Sequence, residues 1–164
     1  SLALGPGVTK HGNSHYADDN FALRDVTGGP FDADDYVSFT VKPKQGAQVS
    51  YSLLDFALTA WSATDLNAEL RYSTDGFATF STIPLSKTNP ITLDPRRTDI
   101  PVHADLQSIS GLQDQSEPVE FRFYFWGTST TVGIGRRDNI GDILLIGTTE
   151  ETHGEASYEA ENGL

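Results

Sequence analysis

Residues 119–127 read VEFRFYFWG, which sets five aromatic side chains into nine positions. Val119, Phe121, Phe123 and Phe125 alternate with Glu120, Arg122, Tyr124 and Trp126. A period of two sends the first set to one side of a β-strand and the second set to the other. The stretch therefore predicts a strand whose Val119-to-Phe125 face lies in a core, with Gly127 at its end. Trp126 has two readings at this point: the rim of that core, or a platform on which a ligand stacks.

Working outward, the same period recurs. In DYVSFTVKP (35–43), Val37, Phe39 and Val41 alternate with Tyr36, Ser38, Thr40 and Lys42. NAELRYS (67–73) alternates Ala68, Leu70 and Tyr72 with Glu69 and Arg71, then meets Asp75-Gly76, a hairpin signal. QVSYSLLDFALTAW (48–61) is longer and less regular, which predicts a bend or bulge near Leu53 and Leu54. DNIGDILLIG (138–147) supplies a late, nearly all-apolar strand. Clusters such as TGGP, KPKQGA, STDG and KTNP separate these runs, and nothing has helical period over any length. Seven to ten short strands without helices predict an all-β protein, a two-sheet antiparallel β-sandwich of the jelly-roll kind.

Composition bounds what such a sandwich does. The chain has 164 residues, enough for one domain with one core, and 37% of them are hydrophobic. Its formal net charge of −12 repels a nucleic-acid backbone and an anionic membrane surface, and favours cations as small partners. With no cysteine there are no disulfides, thiolate metal sites or cysteine nucleophiles. No run approaches the length of about eighteen apolar residues needed to span a membrane, so membrane insertion is not expected. The chain carries no methionine and begins at Ser1, so we read it as a processed or excised piece of a longer product. Three parts are expected: a glycine-rich arm over 1–20, the sandwich over 21–147, and a tail over 148–164 with five glutamates and no lysine or arginine.

The order FDADDYVSFTVKPKQGAQVSYSLLDFAL, LRYSTDGFATF, PVEFRFYFWG and RRDNIGDILLIG resembles the β-sandwich domain of exported bacterial proteins that carry a PEP-CTERM sorting tail. The resemblance covers roughly residues 17 to 147. It implies a secreted protein, extracellular or at the cell surface, associated with exopolysaccharide or surface layers. The chain departs from that pattern in having no Pro-Glu-Pro signal, apolar span or basic end, which implies trimming after sorting or no such anchor. RRDNI also resembles, more weakly, the final strand of jelly-roll carbohydrate-binding modules, in which an acidic residue at the position of Asp138 helps to hold calcium.

Calcium takes six to eight oxygen ligands, usually from a loop and a distant residue. Such oxygens are dense at Asp18, Asp19 and Asn20, at Asp32, Asp34 and Asp35, and at Asp138-Asn139. These are the candidate Ca2+ ligands, with the alternative that they are turn residues capping their own backbone. Catalysis has less support. His11 and His15 are separated by glycine and asparagine, His153 lies in the tail, and His103 in IPVHADL has no serine or cysteine partner nearby. No residue set has catalytic spacing, so a non-enzyme is expected.

Two function classes follow. In the first, the protein is a non-enzymatic structural subunit of an extracellular assembly, with copies of itself as partners and calcium bracing the loops. An arm or tail would add a strand to a neighbour's sheet, through Leu2, Leu4 and Val8 or through Tyr158 and Leu164. In the second it is a carbohydrate-binding module for an extracellular polysaccharide. There Trp61, Tyr124 and Trp126 stack on sugar rings while Arg122 or Arg71 donates hydrogen bonds. The plainer alternative for each of these aromatics is that it covers a sheet or caps the core.

Overall fold

The computed structural model describes residues 2–10, 21–24, 29–60, 64–93, 100–127, 132–134 and 143–152, with the backbone alone at 9, 10, 21–24 and 60. The elements are β1 (Ala3–Leu4), β2 (Thr9–Lys10), β3 (Phe21–Arg24), β4 (Tyr36–Val41), β5 (Ala47–Ala60), β6 (Thr64–Ser73), β7 (Ser81–Ile83), β8 (Ile91–Leu93), β9 (Ile100–Asp105), β10 (Val119–Trp126), β11 (Val132–Ile134) and β12 (Leu144–Glu151). Among the described residues the one helical piece is a 3-10 turn at Ser110–Leu112. The protein is an all-β sandwich of two antiparallel sheets. The first runs β1-β4-β10-β6-β7 with β8 also on β6; the second runs β12-β5-β11-β3-β2 with β9 also on β5.

The alternation of 119–126 places β10 at the centre of the first sheet. Val119, Phe121, Phe123 and Phe125 are all buried against the second sheet. Phe123 meets Phe56 of β5 edge-on at 5.0 Å, and Phe121 meets Tyr51 of β5 at 5.7 Å. These contacts join the sheets, and each fully buried phenylalanine contributes about 1.5–3 kcal/mol through the area it removes from water. Leu66, Ala68 and Leu70 of β6 and Val102 and Ala104 of β9 complete the same core.

The irregularity of β5 lies at Ser52. β12 pairs Ile146 with Leu53 but Gly147 with Tyr51, so Ser52 is the extra residue of a bulge. The inward positions therefore change phase, from Ala47, Val49 and Tyr51 to Leu54, Phe56 and Leu58. Tyr51 and Leu54 thus both face the core, with Ser52 and Leu53 between them on the other side. The hairpin at Asp75-Gly76 is also longer than a two-residue loop: β6 pairs with β7 from Leu70↔Ile83 to Tyr72↔Ser81, leaving 74–80 as the turn.

Strands run past both expected domain boundaries. β1 pairs with β4 in the same chain (Ala3↔Ser38, Leu4↔Val37), and Val8 is buried in the core with Leu2 and Leu4 packed against it. Glycine permits this approach, since a Cβ on Gly5 would lie 2.6 Å from the Tyr36 ring. At the other end β12 extends to Glu151. Thr148–Glu151 pair through the backbone, which asks nothing apolar of their side chains.

Candidate functional site

The solvent face of the first sheet is assembled by register. Tyr36 of β4, Tyr124 of β10 and Glu69 of β6 form one cross-strand row, and Ser38, Arg122 and Arg71 the next. Thr40, Glu120 and Ser73 form a third, and Trp126 stands opposite Asn67. Two arginines side by side repel, and the face is built to offset that. Glu69 accepts a hydrogen bond from Nε of Arg71, and Glu120 accepts one from Nε of Arg122 at 2.7 Å. Both pairs are largely shielded from water by aromatic rings.

The guanidinium of Arg71 lies 4.7 Å from the Phe31 ring centre, 4.3 Å from Phe80 and 4.6 Å from Tyr124. That of Arg122 lies 4.3 Å from Tyr36 and 3.7 Å from Phe77. Cation–π contacts of this kind are worth about 0.5–2 kcal/mol each, more as water is excluded. Burial works to lower the pKa of Arg122, but hydrogen bonding to Glu120 and Tyr124 outweighs it and the net shift is upward. Phe31 also packs against Tyr124 at 5.3 Å and edge-on against Trp126 at 5.3 Å.

The β6–β7 turn delivers Phe77 and Phe80 to this surface. Ser73 Oγ accepts hydrogen bonds from the amides of Asp75 and Phe77, and the Asp75 carboxylate accepts from the amide and hydroxyl of Thr79. Those bonds, led by the Thr79 hydroxyl, hold the Asp75 pKa down at about 2. Gly76 and Phe77 have φ of +70° and +66°. The left-handed region suits glycine but is strained for a ring-bearing residue, and strain of this kind gathers at functional sites. Phe80 is 51% exposed and Phe31 36%. The surface thus combines exposed rings with two balanced Arg–Glu pairs.

Of the residues expected to bind sugars, Arg122, Tyr124 and Trp126 are here, and Trp61 lies outside the described residues. Tyr124 is buried beneath Phe31, Tyr36 and Arg71, and so packs under the surface rather than standing out from it. Phe31, Phe77 and Phe80 were missed because strand alternation says nothing of aromatics in turns; the signal was their placement in GGPF and DGFATF, where a turn has no core to fill.

The candidate calcium ligands divide. Asp32 Oδ1 accepts from the amide of Asp34, closing a turn, while Asp34 is exposed and Asp35 is buried. A Cβ on Gly7 would collide with the Asp35 carboxylate, which places that carboxylate against the arm. Asp18, Asp19 and Asp138 lie outside the described residues. Among the described residues no three carboxylate or imidazole side chains converge as a metal site. His103 is exposed, its amide bonded to Ser86 Oγ at 2.9 Å. Leu2, Leu4 and Val8, expected to reach a neighbour, make their contacts within the chain, while Tyr158 and Leu164 lie outside the described residues. No helix among the described residues is long and apolar enough to cross a membrane. No family model and no curated protein matches the chain.

Proposed function

We propose that this is a secreted, non-enzymatic carbohydrate-binding module that holds a neutral polysaccharide on the solvent face of its first sheet. The observation that carries this reading is the pair of exposed rings, Phe31 and Phe80, bracketing the Arg71 guanidinium. Sugar rings present C–H faces that stack on aromatics and hydroxyls that both donate and accept. Each guanidinium has five N–H donors, more than one carboxylate oxygen at Nε can satisfy. Glu69 and Glu120 supply acceptors. Because two arginines are matched by two glutamates, the face carries no net charge and fits a neutral chain better than a polyanion.

Electrophoresis through gels containing neutral polysaccharides tests this. At least one is expected to retard the protein, with Phe80→Ala and Trp126→Ala each weakening retention about tenfold and leaving thermal stability nearly unchanged, since neither ring is in the core. Retention unaffected by both substitutions, or absent from every neutral polysaccharide, would sink the reading.

A second reading, a self-associating structural subunit, is favoured by Leu144 and Ile146, exposed at 51% and 42% on the edge strand β12. An edge with exposed apolar side chains invites pairing between copies. Light scattering with calcium and then with chelator separates the two: calcium-dependent particles support assembly, and a monomer in both leaves the binding module.

A further inference from the structure

One side of the sandwich is open. The strand pairing of β1 with β4 goes no further than Ser38, so Val41 lies beyond it, and β12 has no strand on its outer edge among the described residues. Between β4 and β12 lies a cleft of about 760 Å³, within the range of roughly 300–1,000 Å³ in which proteins hold small molecules. Val41, Val49 and Leu145 form its apolar wall, packed against the core yet only half-buried. Tyr51 lines it too. The Tyr51 hydroxyl is buried without a hydrogen-bond partner, and burial raises its pKa, so it is a neutral donor lacking an acceptor. Phenylalanine would fill the same space in the core without leaving that group unsatisfied.

Lys42 and Lys44, in the connection between β4 and β5, stand on the same wall. Both are exposed, and neither forms an ion pair among the described residues. Glu151 is the one carboxylate among the residues that line the cleft. Two lysines against one glutamate make the wall locally positive, in a chain whose net charge is −12. The lysine stems extend the apolar surface while their ammonium groups stay in water.

We propose that this cleft binds a fatty acid, a carboxylate carried on an apolar chain. A bare inorganic anion would leave the apolar wall wet, and an uncharged alkane would leave the tyrosine and the two lysines without an acceptor. The chain lies along Val41, Val49 and Leu145. Its carboxylate is held by Lys42 and Lys44 and accepts from the Tyr51 hydroxyl, which it reaches as a half-buried wall side chain turns aside, a rotamer change common on binding. Glu151 and the negative charge of the whole molecule oppose an anion, so apolar contact supplies the affinity and the lysines decide which end of the ligand lies beside them. The site shares no residue with the aromatic face and does not depend on the polysaccharide reading.

Titration with cis-parinaric acid, whose fluorescence rises in apolar surroundings, followed by displacement with laurate below its micelle concentration, tests this. Laurate is expected to displace the probe about tenfold more readily than methyl laurate does, the ester having no charge for the lysines. Lys42→Gln together with Lys44→Gln should weaken laurate binding about tenfold, and both side chains are exposed, so the fold is kept. Tyr51→Phe retains the ring and should weaken laurate about threefold without lowering the melting temperature. Phe80→Ala should leave laurate binding unchanged. Failure of the probe to bind, equal displacement by the ester, or laurate affinity unmoved by both the lysine pair and Tyr51→Phe would overturn the proposal. Laurate binding lost with Phe80→Ala would overturn it too, by placing the ligand on the aromatic face.

Discussion

Asp75 shows how much one side chain carries in this molecule. Its pKa of about 2 lies below the ordinary aspartate value, so the folded state favours the carboxylate. The resulting stability is present above the unfolded pKa near 3.8 and is lost as pH falls towards 2. Asp75→Asn should remove that dependence. Thermal melts between about pH 5 and 2 are expected to fall less steeply for the variant than for the parent, and equal slopes would dissociate the turn from the titration. The same variant loosens the turn that presents Phe77 and Phe80, so polysaccharide retention should weaken at neutral pH as well. Arg71 and Arg122 were visible in the sequence as polar members of alternating strands. What strand periodicity could not give was the aromatic cage around them, since Phe31, Phe77 and Phe80 come from turns and meet the arginines only through tertiary packing.

At the scale of elements, legibility followed side-chain periodicity. β4, β6 and β10 have one apolar face each, and alternation alone located them and their core residues. β5 was legible as a strand with a defect, because Leu53 and Leu54 break the period, while the extra residue, Ser52, was fixed only by pairing with β12. β1 and β2 have two residues each and no pattern to read. β2 is held by pairing with β3, and β1 by its pairing with β4 continued through Gly5 to the Tyr36 carbonyl at 2.8 Å and Gly7 to that of Asp34 at 3.0 Å, which the absence of side chains at those glycines allows. Gly5→Ala tests this directly. The added Cβ meets the Asp34 carbonyl and the Tyr36 ring, and overpacking of this kind costs about 1–3 kcal/mol. Denaturant unfolding should show that loss, with faster hydrogen exchange at Ser38, whose amide faces β1. An unchanged midpoint would mean that β1 adds little to the first sheet.

For the whole molecule, charge separates the surfaces by what they can hold. The chain carries a net −12, yet the aromatic face balances Arg71 and Arg122 against Glu69 and Glu120, and two lysines stand on the wall of the cleft on another side. Stacking and hydroxyl hydrogen bonds to a neutral polysaccharide involve no net charge. Binding should therefore change little between about 0.05 and 0.5 M salt, although the Debye length shrinks severalfold over that range. An acidic polysaccharide faces long-range repulsion from the whole molecule and should bind, if at all, better as salt rises. Gel retardation by both polymer classes across that range reads the difference. Affinity that collapses with added salt would mean that the arginines act as charges toward a polyanion, and the stacked rings would then be their support instead of the binding surface.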